Sequence, residues 1–513
     1  MLSKTFVPFK RIANFLGVNA AQSFENLLDG EWDPQSYNIV SDPLGGLAMC
    51  PGYTAITSAT VGASTAWTGF YHFHKSGGTD HYIGGDSAGK LWSFETNQYV
   101  NLLTGLTTGF DQRLSFHTVN DICVVLSGSS GTPMKYTGSG SAVTLGGTLV
   151  TGDWGLEWQK YSWVHSTVDP RLLYYSTDIS DAESGYTSFI NFDEDGFPLT
   201  GGIKQGDDMV VGKVNRLYRL QYTGSSPFYQ KYFIPSTVGP INYWVMRSTF
   251  DGKVMFLAPD YQVYMLTGDT LIEIGDNIKP ILKEGITTRF QYAVAGLSEA
   301  RKWYFLSFSY TSSTQNDKTL ACDYSRPYLD KFKKLQYPWF VFNFGANCFA
   351  EIVSGQRKLV YFGGYVGKMY QYDSGTDFGG SAIVNKYYSK HDSHGDPSIE
   401  KKYSKCIIAY RNKGNYDLNV GFTIDRNSNS RKSLTQTMLG GQGVNTLWDN
   451  FNWDEDNWAD ADDTDVGRDI DRVGKLIQTD FGTSGLNYDW AIDYYIIMAK
   501  GLSKGVSRTK ESA

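Results

Sequence analysis

The chain has 513 residues, of which 15% are aromatic and 19% charged, with 55 glycines and a formal net charge of −7. A high content of strand-favouring aromatic residues, with glycine available for many turns, predicts an all-β protein that is long enough for two domains. The negative charge disfavours a protein that grips nucleic acid by its phosphates, and no segment approaches the roughly 18 apolar residues of a membrane span.

Residues 1–64 lack the pattern that fills the middle of the chain. The first 18 residues interleave basic and apolar side chains without the continuous apolar run of a signal peptide, so we expect them in the mature protein. Turn signals follow at residues 42–46 (DPLGG) and 50–53 (CPGY). We interpret this segment as an N-terminal arm or small subdomain.

Two matched hairpins indicate a repeat. Residues 81–94 read HYIGGDSAGKLWSF and residues 359–373 read LVYFGGYVGKMYQYD. Each has a strand, a Gly-Gly pair, a short spacer, a Gly-Lys pair and a second strand of apolar and aromatic residues. We expect Gly364 or Gly367 to adopt a positive φ in the turn of the second hairpin.

Units of similar design fill the chain between these hairpins. We place seven of them: six begin near residues 70, 114, 161, 243, 291 and 348, and the fourth contains residues 209–226. Their spacing fits the four-stranded blade of a β-propeller, about 40–50 residues. The prediction is a propeller of six to eight blades over residues 65–385 with both flanks outside it, and the alternative is an irregular stack of β-sandwiches. Residues 138–155 and 311–338 do not fit the repeat and are interpreted as loops between blades.

A smaller C-terminal β domain is predicted for residues 386–513, with strands at 406–410, 418–424 and 494–498. Residues 449–471 between these strands contain ten carboxylates. Asp460, Asp462 and Asp465 have the spacing of a calcium loop only superficially, because the sixth position from Asp460 is not the glycine that an EF-hand requires. A solvated acidic loop is favoured, anchored by three tryptophans: Trp448, Trp453 and Trp458.

No catalytic, cofactor-binding or metal-binding residue is predicted, and we expect that the protein is not an enzyme. Nucleophile-elbow, phosphate-loop, dinucleotide and repeated sialidase motifs are all missing from the sequence. His72 and His74 share one face of a predicted strand near His81, but a metal site would need a third ligand, so solvent-facing histidines are favoured. The five cysteines are widely scattered and are expected to be buried free thiols of a protein folded in a reducing cytoplasm: Cys50, Cys123, Cys322, Cys348 and Cys406.

The order of these features along the chain resembles one family. An approach to Pro-Gly-Tyr over residues 26–53 is followed by the glycine-rich hairpins, the tryptophan segment and a final apolar strand before Lys500-Gly501. This layout resembles the tail nozzle or tail hub proteins of short-tailed, podovirus-type bacteriophages. The resemblance implies a β-propeller with a smaller β domain, six copies of which form a ring below the portal and adaptor.

The same resemblance implies a structural protein of the virion tail, made in the host bacterial cytoplasm. Its expected partners are further copies of itself in a homohexamer, the portal, the adaptor and other tail proteins. Genomic DNA would pass through the ring without specific binding. We further hypothesise that carboxylates of residues 449–471 line the channel, although an outer position is equally compatible with the sequence. The alternative function is a carbohydrate-binding or glycan-cleaving propeller.

Overall fold

The computed structural model describes residues 9–23, 26–128, 131–411, 413–438 and 463–502. These residues form β-strands with one short α-helix, α1 (Lys279–Glu284), and three 3-10 helices (Tyr243–Val245, Asp276–Ile278 and Thr287–Tyr292). No helix in the described ranges combines the length and apolar character of a bilayer span. The prediction of an all-β protein is confirmed.

The N-terminal residues contribute six short strands. They are β1 (Lys10–Ile12), β2 (Gly17–Val18), β3 (Glu31–Trp32), β4 (Ile39–Ser41), β5 (Leu47–Met49) and β6 (Tyr53–Ala55).

Seven four-stranded antiparallel sheets follow in the described chain. Sheet 1 contains β7 (Trp67–His74), β8 (Asp80–Asp86), β9 (Lys90–Glu95) and β10 (Gln98–Thr104), and sheet 2 contains β11 (Ser115–Val119), β12 (Ile122–Leu126), β13 (Met134–Tyr136) and β14 (Val143–Thr144). Sheet 3 contains β15 (Gly152–Trp158), β16 (Tyr161–Ser166), β17 (Leu172–Tyr175) and β18 (Ser188–Asn191), and sheet 4 contains β19 (Leu199–Gln205), β20 (Asp208–Lys213), β21 (Arg216–Tyr222) and β22 (Tyr229–Ile234).

Sheets 5 to 7 complete the set. Sheet 5 contains β23 (Arg247–Ser248), β24 (Val254–Leu257), β25 (Val263–Thr267) and β26 (Thr270–Glu273). Sheet 6 contains β27 (Val294–Ser298), β28 (Trp303–Phe308), β29 (Lys318–Asp323) and, after a hairpin of β30 (Tyr328–Leu329) and β31 (Leu335–Gln336), β32 (Trp339–Phe342). Sheet 7 contains β33 (Cys348–Ser354), β34 (Arg357–Gly363), β35 (Met369–Tyr372) and the N-terminal strand β6.

The seven sheets close into a ring. The first strand of each sheet contacts the first strand of the next, and β33 of sheet 7 returns to contact β7 of sheet 1. Strand β6 pairs antiparallel with β35, which places Tyr53 opposite Tyr372 and Ala55 opposite Tyr370. This arrangement is a β-propeller in which the last blade takes its outermost strand from the N-terminal segment and so combines strands from distant parts of the chain.

A β-sandwich follows the propeller. Its strands are β36 (Asn385–Tyr388), β37 (Lys401–Arg411), β38 (Tyr416–Ile424), β39 (Asn427–Met438), β40 (Asp463–Gly474), β41 (Ile477–Thr483) and β42 (Ala491–Gly501). One sheet has the order β4-β5-β42-β37-β40 with β1 also on β42, and the other has the order β36-β41-β38-β39. Three aromatic rings pack between the two sheets. The ring centroid of Phe481 lies 5.7 Å from that of Tyr387 and 5.3 Å from that of Tyr495.

The propeller and the sandwich share one hydrophobic core. Trp32 is fully buried, and its ring lies 6.1 Å from Phe340 of sheet 6 and 6.0 Å from Tyr387 of the sandwich. The Asn38 side chain donates to the carbonyl oxygen of Val384 and accepts from the backbone N–H of Asn343. The N-terminal segment therefore joins the two domains through buried contacts on both of its sides.

Three details of the predicted organisation are wrong. The segment predicted at residues 1–64 does not form a separate unit outside the propeller in its described part, because β6 completes sheet 7 while β1, β4 and β5 extend the sandwich. The third unit begins at Gly152 rather than near Tyr161, so residues 152–155 belong to an inner strand and not to a loop. Residues 318–323 are likewise a central strand of sheet 6. Glycines and small residues in these stretches weaken the apolar alternation from which strands are recognised.

The two matched hairpins occupy equivalent places. Residues 81–94 cover parts of β8 and β9 in sheet 1, and residues 359–373 cover parts of β34 and β35 in sheet 7. Gly367 has φ +70° in the turn, which confirms the expectation of a positive φ, and the other candidate, Gly364, is not among the positive-φ residues. The repeat identified in the sequence is thus the central hairpin of two neighbouring blades.

Candidate functional site

The feature that stands out on the surface is a group of exposed aromatic side chains. Nine aromatic residues of the described part are strongly exposed, and six of them lie between residues 189 and 233, in the strands of sheets 3 and 4 or in the loops beside those strands. We call these six the aromatic outer surface: Phe189, Phe197, Tyr222, Phe228, Tyr232 and Phe233. Concentrated exposed apolar area of this kind is uncommon on monomeric soluble proteins and marks an interaction surface.

Strand β22 shows how the sequence produces this surface. Tyr229 and Ile234 at its two ends are buried, whereas Tyr232 and Phe233 are 42% and 53% exposed. Neighbouring residues of a strand point to opposite faces, so two adjacent aromatics cannot both be covered by the same packed face. Since β22 is the outermost strand of sheet 4, no further strand of the described chain pairs with its outer edge.

The two outer strands of the surface are held together. Lys231 of β22 donates from Nζ to the carbonyl oxygen of Asn191 in β18, at 2.9 Å, and forms an ion pair with Glu194. On β21, the Tyr218 ring lies 6.2 Å from Phe233 and 5.1 Å from Phe192. The aromatic outer surface therefore extends across neighbouring blades, and each edge offers backbone groups to which another chain could pair.

The histidines singled out in the sequence meet a carboxylate. His72 Nε2 and His74 Nδ1 lie 2.8 Å and 2.6 Å from the same Asp80 oxygen, because Asp80 is the cross-strand partner of His74. Both hydrogen bonds lower the pKa of Asp80, and the one from His74 has the larger effect. His74 is exposed as expected, but the His72 side chain is only 8% exposed, so the expectation of solvent-facing histidines is wrong for that residue.

This cluster has three side chains that could ligate a metal, two histidines and one carboxylate, with the ligand atoms within 4.8 Å of one another. The hydrogen bond on the far side of the His72 ring decides against that use. The backbone N–H of Val353 donates to His72 Nδ1, at 3.2 Å, so the neutral ring carries its proton on Nε2. A metal-binding histidine instead donates its outer N–H to an acceptor. The cluster is satisfied as a hydrogen-bonded group.

The acidic segment is only partly described. The described residues do not include 449–462 or any of the three tryptophans, Trp448, Trp453 and Trp458. Residues 463–471 are not a loop but belong to β40, which pairs with β37. Lys402 of β37 lies 3.0 Å from Asp471 and lowers the pKa of that exposed carboxyl by its hydrogen bond. At least one charge of the segment is therefore balanced within the sandwich.

The five cysteines are all buried and free, as predicted from their spacing. Burial raises the pKa of the Cys50 and Cys123 thiols, which keeps both protonated at neutral pH. They act as small apolar core residues and not as nucleophiles.

No family model matches the chain, and no curated protein matches it. Among solved structures, it is similar to virginiamycin B lyase from Staphylococcus aureus, with 11% identity over 62% of this chain and 97% of the lyase and a TM-score of 0.39. It is also similar to YCF48 bound to D1 peptide, with 10% identity over 63% and 97% of the two chains and a TM-score of 0.37. The computationally designed Ika8 protein has the same identity and TM-score, over 62% of this chain and 99% of its own. Likenesses this distant carry nothing about activity or partners.

Proposed function

We propose that this chain is a structural protein of a phage tail, six copies of which form a nozzle ring around the channel through which DNA leaves the capsid. The proposal assigns it no catalytic role. It rests on the order of features along the sequence and on one structural observation, the aromatic outer surface. Large apolar side chains on the outermost strands favour a protein that works in contact with another folded surface.

A second copy of this chain is the occupant that we assign to the aromatic outer surface. Strands β18 and β22 both end their sheets with an open edge, so a neighbouring subunit can cover the aromatic rings and also meet the free backbone groups. The shared core between propeller and sandwich supports the same role, because a ring that carries load requires subunits whose domains keep a fixed orientation.

Replacing Phe233 by aspartate is expected to shift the protein from a ring to monomers. Removing one fully covered phenylalanine costs about 1.5–3 kcal/mol per contact, and a buried unpaired carboxylate adds to that loss, so each interface should weaken at least about tenfold. Sedimentation velocity at micromolar concentrations measures the change. Phe250→Asp is the matched control, because Phe250 is 93% exposed in a turn of sheet 5, away from the aromatic outer surface.

Negative-stain imaging separates the proposal from its alternative. Six-fold rings of the purified chain, or on a phage particle, would support the nozzle. A chain that remains a monomer or trimer and alters glycan would instead favour the carbohydrate-active propeller. If a complex forms only with a second tail protein, that protein and not a second copy of this chain covers the aromatic outer surface.

Assembled rings are expected to bind duplex DNA weakly even at low salt. Six copies carry −42, which is six times the net charge of −7 of one chain. A conduit of that charge repels phosphates instead of collecting the salt-dependent contacts that hold a DNA-binding protein in place. Fluorescence anisotropy with a labelled duplex at low ionic strength measures the affinity, and a submicromolar dissociation constant would contradict a repulsive channel.

A further inference from the structure

A cavity of about 700 Å³ lies on the axis of the propeller, where the first strands of the seven sheets face one another. The 3-10 helix Tyr243–Val245 adds Tyr243 and Trp244 to its wall. The volume falls in the range of small-molecule sites, roughly 300–1,000 Å³. The cavity is remote from the aromatic outer surface and has no part in the proposed ring contacts.

Arg247, the first residue of β23, brings a guanidinium group into this cavity. Its one hydrogen bond within the described chain runs from Nη1 to the carbonyl oxygen of Met246, at 2.6 Å, and it takes part in no described ion pair. Loss of solvation lowers the pKa of Arg247. The residue is partly buried, and a cation that loses hydration without a counter-ion is stabilised when an anion joins it.

Other arginines that the fold covers are treated differently. Arg289 forms a two-point contact with Asp111, at 2.9 Å and 2.7 Å. Arg113 donates to the carbonyl oxygens of Asn347 and Tyr292, at 3.0 Å and 2.6 Å. The fold thus satisfies structural arginines with nearby acceptors, whereas most of the donors of Arg247 remain open to the cavity.

Four further polar atoms on residues of the cavity wall are buried without a hydrogen-bond partner. They are Thr68 Oγ1, His117 Nδ1, Trp244 Nε1 and Glu351 Oε1. The indole N–H of Trp244 is a donor only, and it lies three residues before Arg247 in the same segment. Glu351 is not within ion-pair distance of Arg247, and burial raises its pKa. The other Glu351 oxygen, Oε2, lies 3.9 Å from Lys358 Nζ, and all four unpartnered atoms are shielded from the open space of the cavity.

We propose that the axial cavity binds a small organic carboxylate, for which glucuronate serves as the probe. Arg247 takes the carboxylate, for which a guanidinium group offers a two-point contact. The aromatic part of the wall, including Tyr243 and Trp244, covers the carbon skeleton.

Isothermal titration calorimetry with sodium glucuronate tests this site on the full chain in a buffer free of carboxylate and phosphate. The wild-type protein is expected to bind glucuronate saturably and to bind glucose, its neutral counterpart, at least tenfold more weakly. Arg247→Gln is expected to weaken glucuronate binding at least tenfold, and Arg247→Lys less. Arg171→Gln is the control, because Arg171 is exposed and paired with Asp169, and it should bind like the wild type.

Three outcomes would overturn the proposal. They are no saturable binding of glucuronate by the wild type, equal binding by Arg247→Gln, and binding of glucose as tight as that of glucuronate. Inorganic phosphate bound as tightly as glucuronate would overturn the organic part and leave a general anion site. Circular dichroism checks that the variants are folded, and Arg247→Lys retains the test if the glutamine variant is not.

Discussion

Replacing Gly367 by valine is expected to destabilise the protein by about 2–5 kcal/mol. A β-branched residue at φ +70° costs about 1–2 kcal/mol, and forcing atoms into a filled space adds about 1–3 kcal/mol. That space is filled because a Cβ at Gly367 would lie only 2.2 Å from the carbonyl oxygen of Gly62. Thermal unfolding monitored by circular dichroism should show a transition several degrees lower than that of the wild type.

Gly355 provides the matched control for this turn. It has φ +60° in the turn between β33 and β34, and a Cβ there would meet no atom within 4 Å. Gly355→Ala therefore measures the cost of the backbone conformation alone, whereas Gly367→Ala adds the close approach of Gly62. Equal losses for the two alanine variants would show that residues 61–65 do not lie against this turn as they do in the structure.

Acidification from pH 7 to pH 4.5 is expected to reduce stability steeply. Burial lowers the pKa of His117 to about 3 and that of His394 to about 4. An unfolded histidine has a pKa near 6.5. Below that pH the unfolded chain therefore binds more protons than the folded protein does, and the free energy of unfolding falls. Each such histidine removes about 1.4 kcal/mol per pH unit once the pH is well inside this window.

Urea unfolding at several pH values measures this slope, and a double variant identifies its source. His117→Gln with His394→Gln should flatten the dependence and leave mainly the part from His391, whose pKa burial lowers to about 4. The carboxyls with lowered pKa, such as Asp29 and Asp392, contribute only below their ordinary range near 3.8. An unchanged slope between pH 7 and pH 4.5 in the double variant would exclude the buried histidines as its cause.

The propeller was predictable because each of its hairpins is specified by a short, continuous stretch of sequence. Alternating apolar residues and glycine-rich turns specify each hairpin within a few residues, as in the two matched segments at 81–94 and 359–373. Other turns left no such signal. Gln159 and Lys160 both adopt positive φ in the tight turn between β15 and β16, although neither is a typical turn residue. Pairing of the two long strands overrides the local preference there, which is why the third unit was placed too late.

The candidate surfaces depended on the folded chain. Adjacent aromatics at Tyr232 and Phe233 are visible in the sequence, but only the position of β22 at the end of its sheet leaves them uncovered. Arg247 looks like any other arginine until the acceptors around it are known. Whether a side chain is satisfied or exposed is a property of its neighbours in space, and these neighbours come from other sheets.

The composition and the repeated hairpins were sufficient for the strand-rich class, the propeller and the existence of a second β domain, because these depend on patterns a few residues long. Only the tertiary structure decided three further features: the completion of sheet 7 by β6, the pairing of N-terminal strands with the sandwich, and the common core around Trp32. Strands of two or three residues carry too little periodicity to be recognised by themselves. Strands β5 and β6 are stable only because partners some 300 to 450 residues away, in β42 and β35, complete their hydrogen bonds and bury their side chains.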